Sequence, residues 1–68
     1  MYIRLNGEER ELSSKQSVSQ LVAELSGTDE PQGVAVAING QIVRRAEWST
    51  RELQAQDDVE VLQAVSGG

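Results

Sequence analysis

The stretch "SVSQLVAELSG", residues 17–27, carries the strongest helix pattern in the chain and decides the fold. Ser17 followed three residues later by Gln20 is a capping-box pattern, in which each side chain bonds to a backbone N–H of the first helical turn. Gly27 stands where a helix commonly ends in a left-handed residue. The apolar residues fall at helical spacing and form one stripe: Val18, Leu21, Val22 and Leu25. The pattern predicts an amphipathic helix whose stripe packs against a sheet.

The segment before the helix has the pattern of a β-hairpin. In "MYIRLNGEEREL", residues 1–12, apolar and polar residues alternate, which is typical of a half-buried strand. Asn6-Gly7 favours a tight turn, because both residues tolerate positive φ. The returning strand carries consecutive charges that discourage pairing with another chain, so it is expected at an edge of the sheet: Glu9, Arg10 and Glu11.

Three further strand patterns follow the helix. "VAVAIN", residues 34–39, is apolar on both faces, which indicates a central or well-covered position in the sheet. A second Asn-Gly turn joins it to "QIVRR", residues 41–45. "AEWSTREL", residues 46–53, has no clear period and is expected to form one helical turn or an irregular crossing. "VEVLQAV", residues 59–65, is the last strand, which must lie beside the first.

Two hairpin-like units around one helix, with a final strand, predict an α+β fold of the ubiquitin-like β-grasp type. We expect a mixed five-stranded sheet with the main helix packed on one face, because crossovers between parallel strands are right-handed. The predicted β-grasp domain covers residues 1–65, and residues 66–68 form a flexible C-terminal tail. Val61 and Leu62 are both apolar, so the pattern leaves open which of them faces the core. The expected core members are Ile3, Leu5, Leu12, Val18, Leu21, Val22, Leu25, Val34, Val36, Ile38, Val43, Leu53, Val59 and Val61, with Trp48 closing one end.

Composition excludes several function classes. The 68 residues include no cysteine and no histidine, which removes disulfides, thiol chemistry, the commonest metal ligand and the usual general base. The net charge of −5 and the scattered basic residues argue against nucleic-acid binding and favour a protein partner with a basic docking face. No apolar run approaches the roughly 18 residues of a membrane span, and no signal-peptide pattern opens the chain. A cytoplasmic protein, monomeric when free and without membrane contact, is expected.

The segments after the helix resemble a known family. "VAVAINGQIVRRAEW", residues 34–48, matches the central pattern of the ThiS family, the sulfur carriers of thiamine biosynthesis: alternating Val and Ala, Asn-Gly, a short strand and then Trp. "DDVEVLQAVSGG", residues 57–68, resembles that family's final turn, strand and Gly-Gly tail. The likeness covers the whole chain, including its length and its opening "IRLNG". The family's usual Gly-Asp turn appears here as Gln56-Asp57-Asp58, which leaves the turn type open.

The resemblance implies a carrier that is the co-substrate of other enzymes and needs no cofactor of its own. An E1-like adenylating enzyme, using ATP and magnesium, would activate the carboxylate of Gly68. A persulfide or sulfide donor would then convert it into a thiocarboxylate, from which thiazole synthase takes sulfur for the thiamine thiazole. Ser66 and Gly67 would lie in the channel of the enzyme, and Gly67 and Gly68 could thread it because glycine adds no Cβ and adopts many backbone conformations.

The residues that lead into this tail are the predicted docking contacts. Leu62, Ala64 and Val65 are apolar, and an enzyme that binds the tail would cover them. Packing within the strand is the alternative for these three. A disordered chain end is the alternative for Gly67 and Gly68. The acidic residues near the last strand are interpreted as solvated surface: Glu47, Glu52, Asp57, Asp58 and Glu60.

Other functions stay open at this point. A sulfur carrier for molybdopterin synthesis or another sulfur-transfer pathway has the same fold, but that molybdopterin family tends to be longer and Pro-rich before its tail. A ubiquitin-like modifier usually carries arginine in its tail, whereas no arginine follows Arg51 here. A β-grasp binding module with an unused tail belongs to a different class. Replacement of one terminal oxygen by sulfur, seen by mass spectrometry, separates a carrier from such a module.

Overall fold

A computed structural model of the protein describes residues 1–28 and 32–63. The sheet has the order β2-β1-β5-β3-β4, with β1 and β5 parallel and the other neighbouring pairs antiparallel. This is the predicted β-grasp arrangement, with the last strand beside the first and the charged β2 at one edge. The elements in chain order are β1 (Tyr2–Leu5), β2 (Glu8–Glu11), α1 (Val18–Ser26), β3 (Val34–Ile38), β4 (Gln41–Val43), a 3₁₀ turn (Arg45–Glu47) and β5 (Asp58–Gln63).

Helix α1 begins and ends with the predicted signals. The Ser17 hydroxyl accepts from the Gln20 backbone N–H at 3.1 Å, and the Gln20 side chain accepts from the Ser17 N–H at 2.9 Å. Gly27 ends the helix in the left-handed region, at φ 78°. The prediction that Leu25 joins the core is wrong, since it is 42% exposed. Leu25 lies in the last turn of the helix, and the buried residues of α1 all precede it: Val18, Leu21 and Val22.

The core lies between α1 and one face of the sheet. With the exception of Leu25, the predicted members are buried or packed against the buried set, and Trp48 is buried at one end as expected. Val61 packs against the core and Leu62 is 65% exposed, which settles the choice between them. The ten buried members are Ile3, Leu12, Val18, Leu21, Val22, Val36, Ile38, Trp48, Leu53 and Val59.

Asp57 contradicts the prediction of a solvated carboxylate. Its side chain is buried, and its two oxygens accept from the Gln54 backbone N–H at 2.8 Å and from the Asn39 amide at 3.2 Å. The Arg51 guanidinium lies 3.6 Å away. The carboxylate therefore gives the Gln54 N–H of the turn before β5 a hydrogen-bond acceptor, and it links that turn to the hairpin between β3 and β4. Charge alone suggests a surface position, but hydrogen bonds from the turn and from Asn39 hold this residue inside.

The turn before β5 gives a stability prediction for Gln56. Its φ is 70°, a left-handed conformation that costs a residue with a Cβ about 1–2 kcal/mol and that glycine adopts freely. We expect Gln56→Gly to raise the free energy of unfolding by about 0.5–1 kcal/mol, after subtracting the entropy that glycine gains in the unfolded chain. Urea unfolding measures the change. Gln56→Ala, which keeps the Cβ, is the control and should give no gain; a loss of stability in Gln56→Gly would contradict the strain argument.

Candidate functional site

The face of the sheet away from α1 carries a compact apolar patch. Alternate strand residues point to opposite faces, so the neighbours of the buried strand residues face outward. Leu62 on β5 lies opposite Ala35 on β3, and Ala37 lies opposite Ile42 on β4. Ile42 is 78% exposed and Leu62 is 65% exposed. We call these four residues the apolar patch. Cross-strand pairing places them side by side on three neighbouring strands.

The other half of this open face is acidic. β2 contributes Glu9 and Glu11, and β5 contributes Asp58 and Glu60, whereas Arg4 on β1 is the basic residue among them. A hydrogen bond with Glu11 raises the pKa of Tyr2, which also lies on this face; desolvation and the charge of Glu9 add to the rise. The open face thus combines an apolar patch with a negative border, which suits a partner with apolar and basic residues.

The predicted docking residues fall in two groups. Leu62 lies in the apolar patch with an exposed side chain, as a docking residue requires. The other predicted site residues lie outside the described residues: Ala64, Val65, Ser66, Gly67 and Gly68. In the sequence, these five residues follow directly after Gln63, the last residue of the strand that carries Leu62.

Sequence reasoning missed the rest of the apolar patch. Ala35, Ala37 and Ile42 had been assigned to strands but to no site. The available signal was the second apolar face of "VAVAIN", interpreted as a sign of an interior strand. β3 is indeed interior to the sheet, yet Ala35 on its second face is exposed. Together with Ile42 and Leu62 it forms part of a contiguous exposed apolar surface, and such surfaces mark interaction sites.

The described part of the chain has neither a metal-binding cluster nor a membrane-spanning helix. Within residues 1–28 and 32–63, no group of three or more carboxylates is arranged to hold a metal ion. In the same ranges, no helix has the length and apolar character required to cross a membrane.

Comparison with known proteins places this architecture in a family. The chain matches the model of the ThiS family over residues 3–68. It is 35% identical over 69 aligned positions to the sulfur carrier protein ThiS of Escherichia coli strain K12, with all of both chains covered. The crystal structure of the thiamine biosynthesis protein ThiS from Geobacter metallireducens superposes with a TM-score of 0.81 at 24% identity, covering all of both chains. A solution structure of a thiamine biosynthesis protein from Geobacter metallireducens superposes with a TM-score of 0.80 at 25% identity, covering all of this chain and 88% of the other. The chain belongs to the ThiS family.

Proposed function

We propose that this protein is a sulfur carrier for formation of the thiamine thiazole, and that the carboxylate of Gly68 is the group that carries the sulfur. The observation that supports this most is the full-length match to a family whose Escherichia coli member is a sulfur carrier, a match that extends through Gly67 and Gly68. The protein acts as a co-substrate in the cytoplasm. The reacting atoms belong to its own terminus, and the catalytic groups belong to its partners.

Activation of the carboxylate comes first. A carboxylate resists nucleophiles because its negative charge is shared by two oxygens. In the proposed step, one oxygen of Gly68 attacks the α-phosphate of ATP, pyrophosphate leaves, and a mixed anhydride with AMP forms. An E1-like adenylating enzyme catalyses this step and supplies the magnesium that neutralises the phosphates. The acyl carbon of Gly68 is then an electrophile.

Sulfur replaces AMP in the second step. Sulfide attacks the acyl carbon, the C–O bond to AMP breaks, and a C-terminal thiocarboxylate remains. With a persulfide donor, its terminal sulfur forms the new bond, and two electrons from a thiol cleave the S–S bond. The thiocarboxylate is then the sulfur nucleophile for thiazole synthase. Because the chain contains no cysteine, no internal thiol competes for the activated terminus.

The apolar patch is the proposed docking surface for the adenylating enzyme. Leu62 lies six residues before Gly68, so an enzyme that covers Leu62 has the reacting terminus within the reach of a short extended segment. Gly67 and Gly68 have no Cβ, which lets the acyl carbon approach the ATP and later a sulfur atom without side-chain crowding. Docking and chemistry are therefore served by β5 and by the residues that follow it in the sequence.

Mass spectrometry tests the proposed function directly. The intact protein is incubated with ATP, magnesium, the adenylating enzyme of the same organism and sulfide. The expected product has one oxygen replaced by sulfur at Gly68, and it supports thiazole formation when thiazole synthase and its small-molecule substrates are added. Omission of ATP is the control. An unchanged mass under complete conditions contradicts the sulfur-carrier function, and loading without thiazole formation contradicts its assignment to thiamine.

Replacement of Leu62 tests the docking surface. We expect Leu62→Ser to raise the KM of the adenylating enzyme for the carrier about 5–30-fold, because an anchor in an interface is worth about 1–2 kcal/mol, with little change in kcat. Leu25→Ser is the matched control, since Leu25 is also an exposed leucine but lies on the helix. Equal KM values for the two variants would show that the apolar patch is not the docking surface.

A further inference from the structure

Both Asn-Gly turns hold β5 through the side chain of their asparagine. Asn6 and Asn39 each have φ of 52°, and each side chain both donates and accepts a hydrogen bond. Asn39 accepts from the Asp58 N–H at 3.0 Å, at the start of β5. The Asn6 side chain bonds to Val61, further along β5. The tight turns explain the asparagines at these positions, but not the contacts with the last strand.

Asn6 extends the pairing of β1 with β5 beyond the end of β1. The paired residues of the two strands end at Leu5 and Val59, and the Asn6 backbone N–H donates to the Val59 carbonyl at 2.9 Å. The Asn6 side chain then accepts from the Val61 N–H at 2.9 Å and donates to the Val61 carbonyl at 3.2 Å. An amide side chain has the same donor and acceptor as a peptide group, so it replaces the next strand residue.

We infer that Asn6 is a positioning residue for the reaction at Gly68. Its side chain holds Val61, two residues before Gln63, on the side of β5 that faces β1, whereas the pairing with β3 holds the other side as far as Gln63. Asn6 also lines the same surface depression as Leu62, together with Arg4, Asp58 and Glu60. This inference rests on the proposed function.

Loss of the Asn6 side chain is expected to lower kcat for adenylation. Loss of the Asn6 side chain leaves the apolar patch intact, so binding of the carrier is retained. The end of β5 is then held through its pairing with β3 but no longer from the β1 side, so a smaller fraction of complexes places the acyl carbon against the ATP. The net free energy of one hydrogen bond corresponds to roughly a two- to tenfold change in the equilibrium between the bonded and the unbonded conformation. With two bonds lost, we expect kcat for adenylation to fall about tenfold.

The test compares two glycine variants in steady-state adenylation. Asn6→Gly keeps the left-handed turn, because glycine adopts positive φ freely, but removes both bonds to Val61. Asn39→Gly is the matched control: it makes the same change in the same kind of turn and removes two side-chain bonds at the start of β5. The expected result is a lower kcat with unchanged KM for Asn6→Gly, and wild-type kinetics for Asn39→Gly. Amide exchange at Val61 should become about tenfold faster only in Asn6→Gly.

The outcomes separate this inference from the function on which it rests. Wild-type kinetics in Asn6→Gly, or an equal fall of kcat in both variants, would overturn the positioning role while the wild-type protein is still loaded with sulfur. Unchanged exchange at Val61 in Asn6→Gly would overturn the hydrogen-bond argument, whatever the kinetics. A wild-type protein that is never adenylated would overturn the proposed function itself, and this inference with it.

Discussion

Deletion of Gly68 should abolish sulfur loading and leave the stability of the protein almost unchanged. The shortened chain still ends in a glycine carboxylate, at Gly67, but this carboxylate lies about 3.3–3.6 Å short of the position that Gly68 occupies in an extended segment. A misplacement of even 1 Å at a reacting centre costs about 100-fold in rate. The loading rate should therefore fall by about 100-fold or more, measured by mass spectrometry over time.

Thermal unfolding of the deletion variant and sulfur loading of Gly68→Ala are the controls for this prediction. The core cluster and the residues packed against it lie between Ile3 and Val61, so thermal unfolding of the deletion variant should match that of the full chain. Gly68→Ala is the control for chemistry, since it retains the length and adds only a Cβ; it should be loaded slowly but faster than the deletion variant. A large loss of stability on deletion would show a structural role for Gly68, and loading at the full rate would contradict its role as the reacting residue.

The elements of the fold were predictable because their signals are local. Ser17, Gln20 and Gly27 determine where α1 begins and ends through bonds within one helical turn. Each Asn-Gly pair defines its hairpin through the φ values of two residues. Leu25 and Asp57 were mispredicted for the opposite reason. The exposure of Leu25 depends on how much of the helix packs against the sheet, and the burial of Asp57 depends partly on Asn39, which is distant in sequence.

The candidate site was only half visible in the sequence. The glycines and Leu62 could be identified because they lie together at one end of the chain. The apolar patch needs the pairing of β5 with β3 and of β3 with β4, which no local pattern specifies. The same pairing decides that Val61 faces the core and Leu62 faces outward, since it places Val61 opposite the buried Val36. The bonds from Asn6 span 55 residues of sequence and follow only from the parallel pairing of β1 with β5.

Trp48→Ala should be among the most destabilising single substitutions in the described chain. Trp48 is 5% exposed, and its indole N–H donates to the Val43 carbonyl at 2.9 Å. Truncation of a buried tryptophan costs about 3–5 kcal/mol. A domain of this size has a total stability of roughly 3–10 kcal/mol, so the variant should be partly unfolded at 25 °C. Circular dichroism in urea measures the loss, because the substitution removes the fluorescence of the single tryptophan.

Trp48→Ala should also destabilise helix α1, because backbone carbonyls of the segment around Trp48 accept hydrogen bonds from the start of the helix. The first backbone N–H groups of α1 have no acceptor within the helix. The segment that contains Trp48 supplies carbonyl acceptors for two of these N–H groups. The Trp48 carbonyl accepts from the Ser19 N–H at 3.0 Å, and the Arg51 carbonyl accepts from the Val18 N–H at 2.9 Å. Without the buried indole, this segment loses its anchor and α1 loses these acceptors. Trp48→Phe retains a buried ring but not the bond to Val43, so it should cost about 1–2 kcal/mol. Equal losses in the two variants would show that the hydrogen bond, and not the buried ring, holds this end of the core.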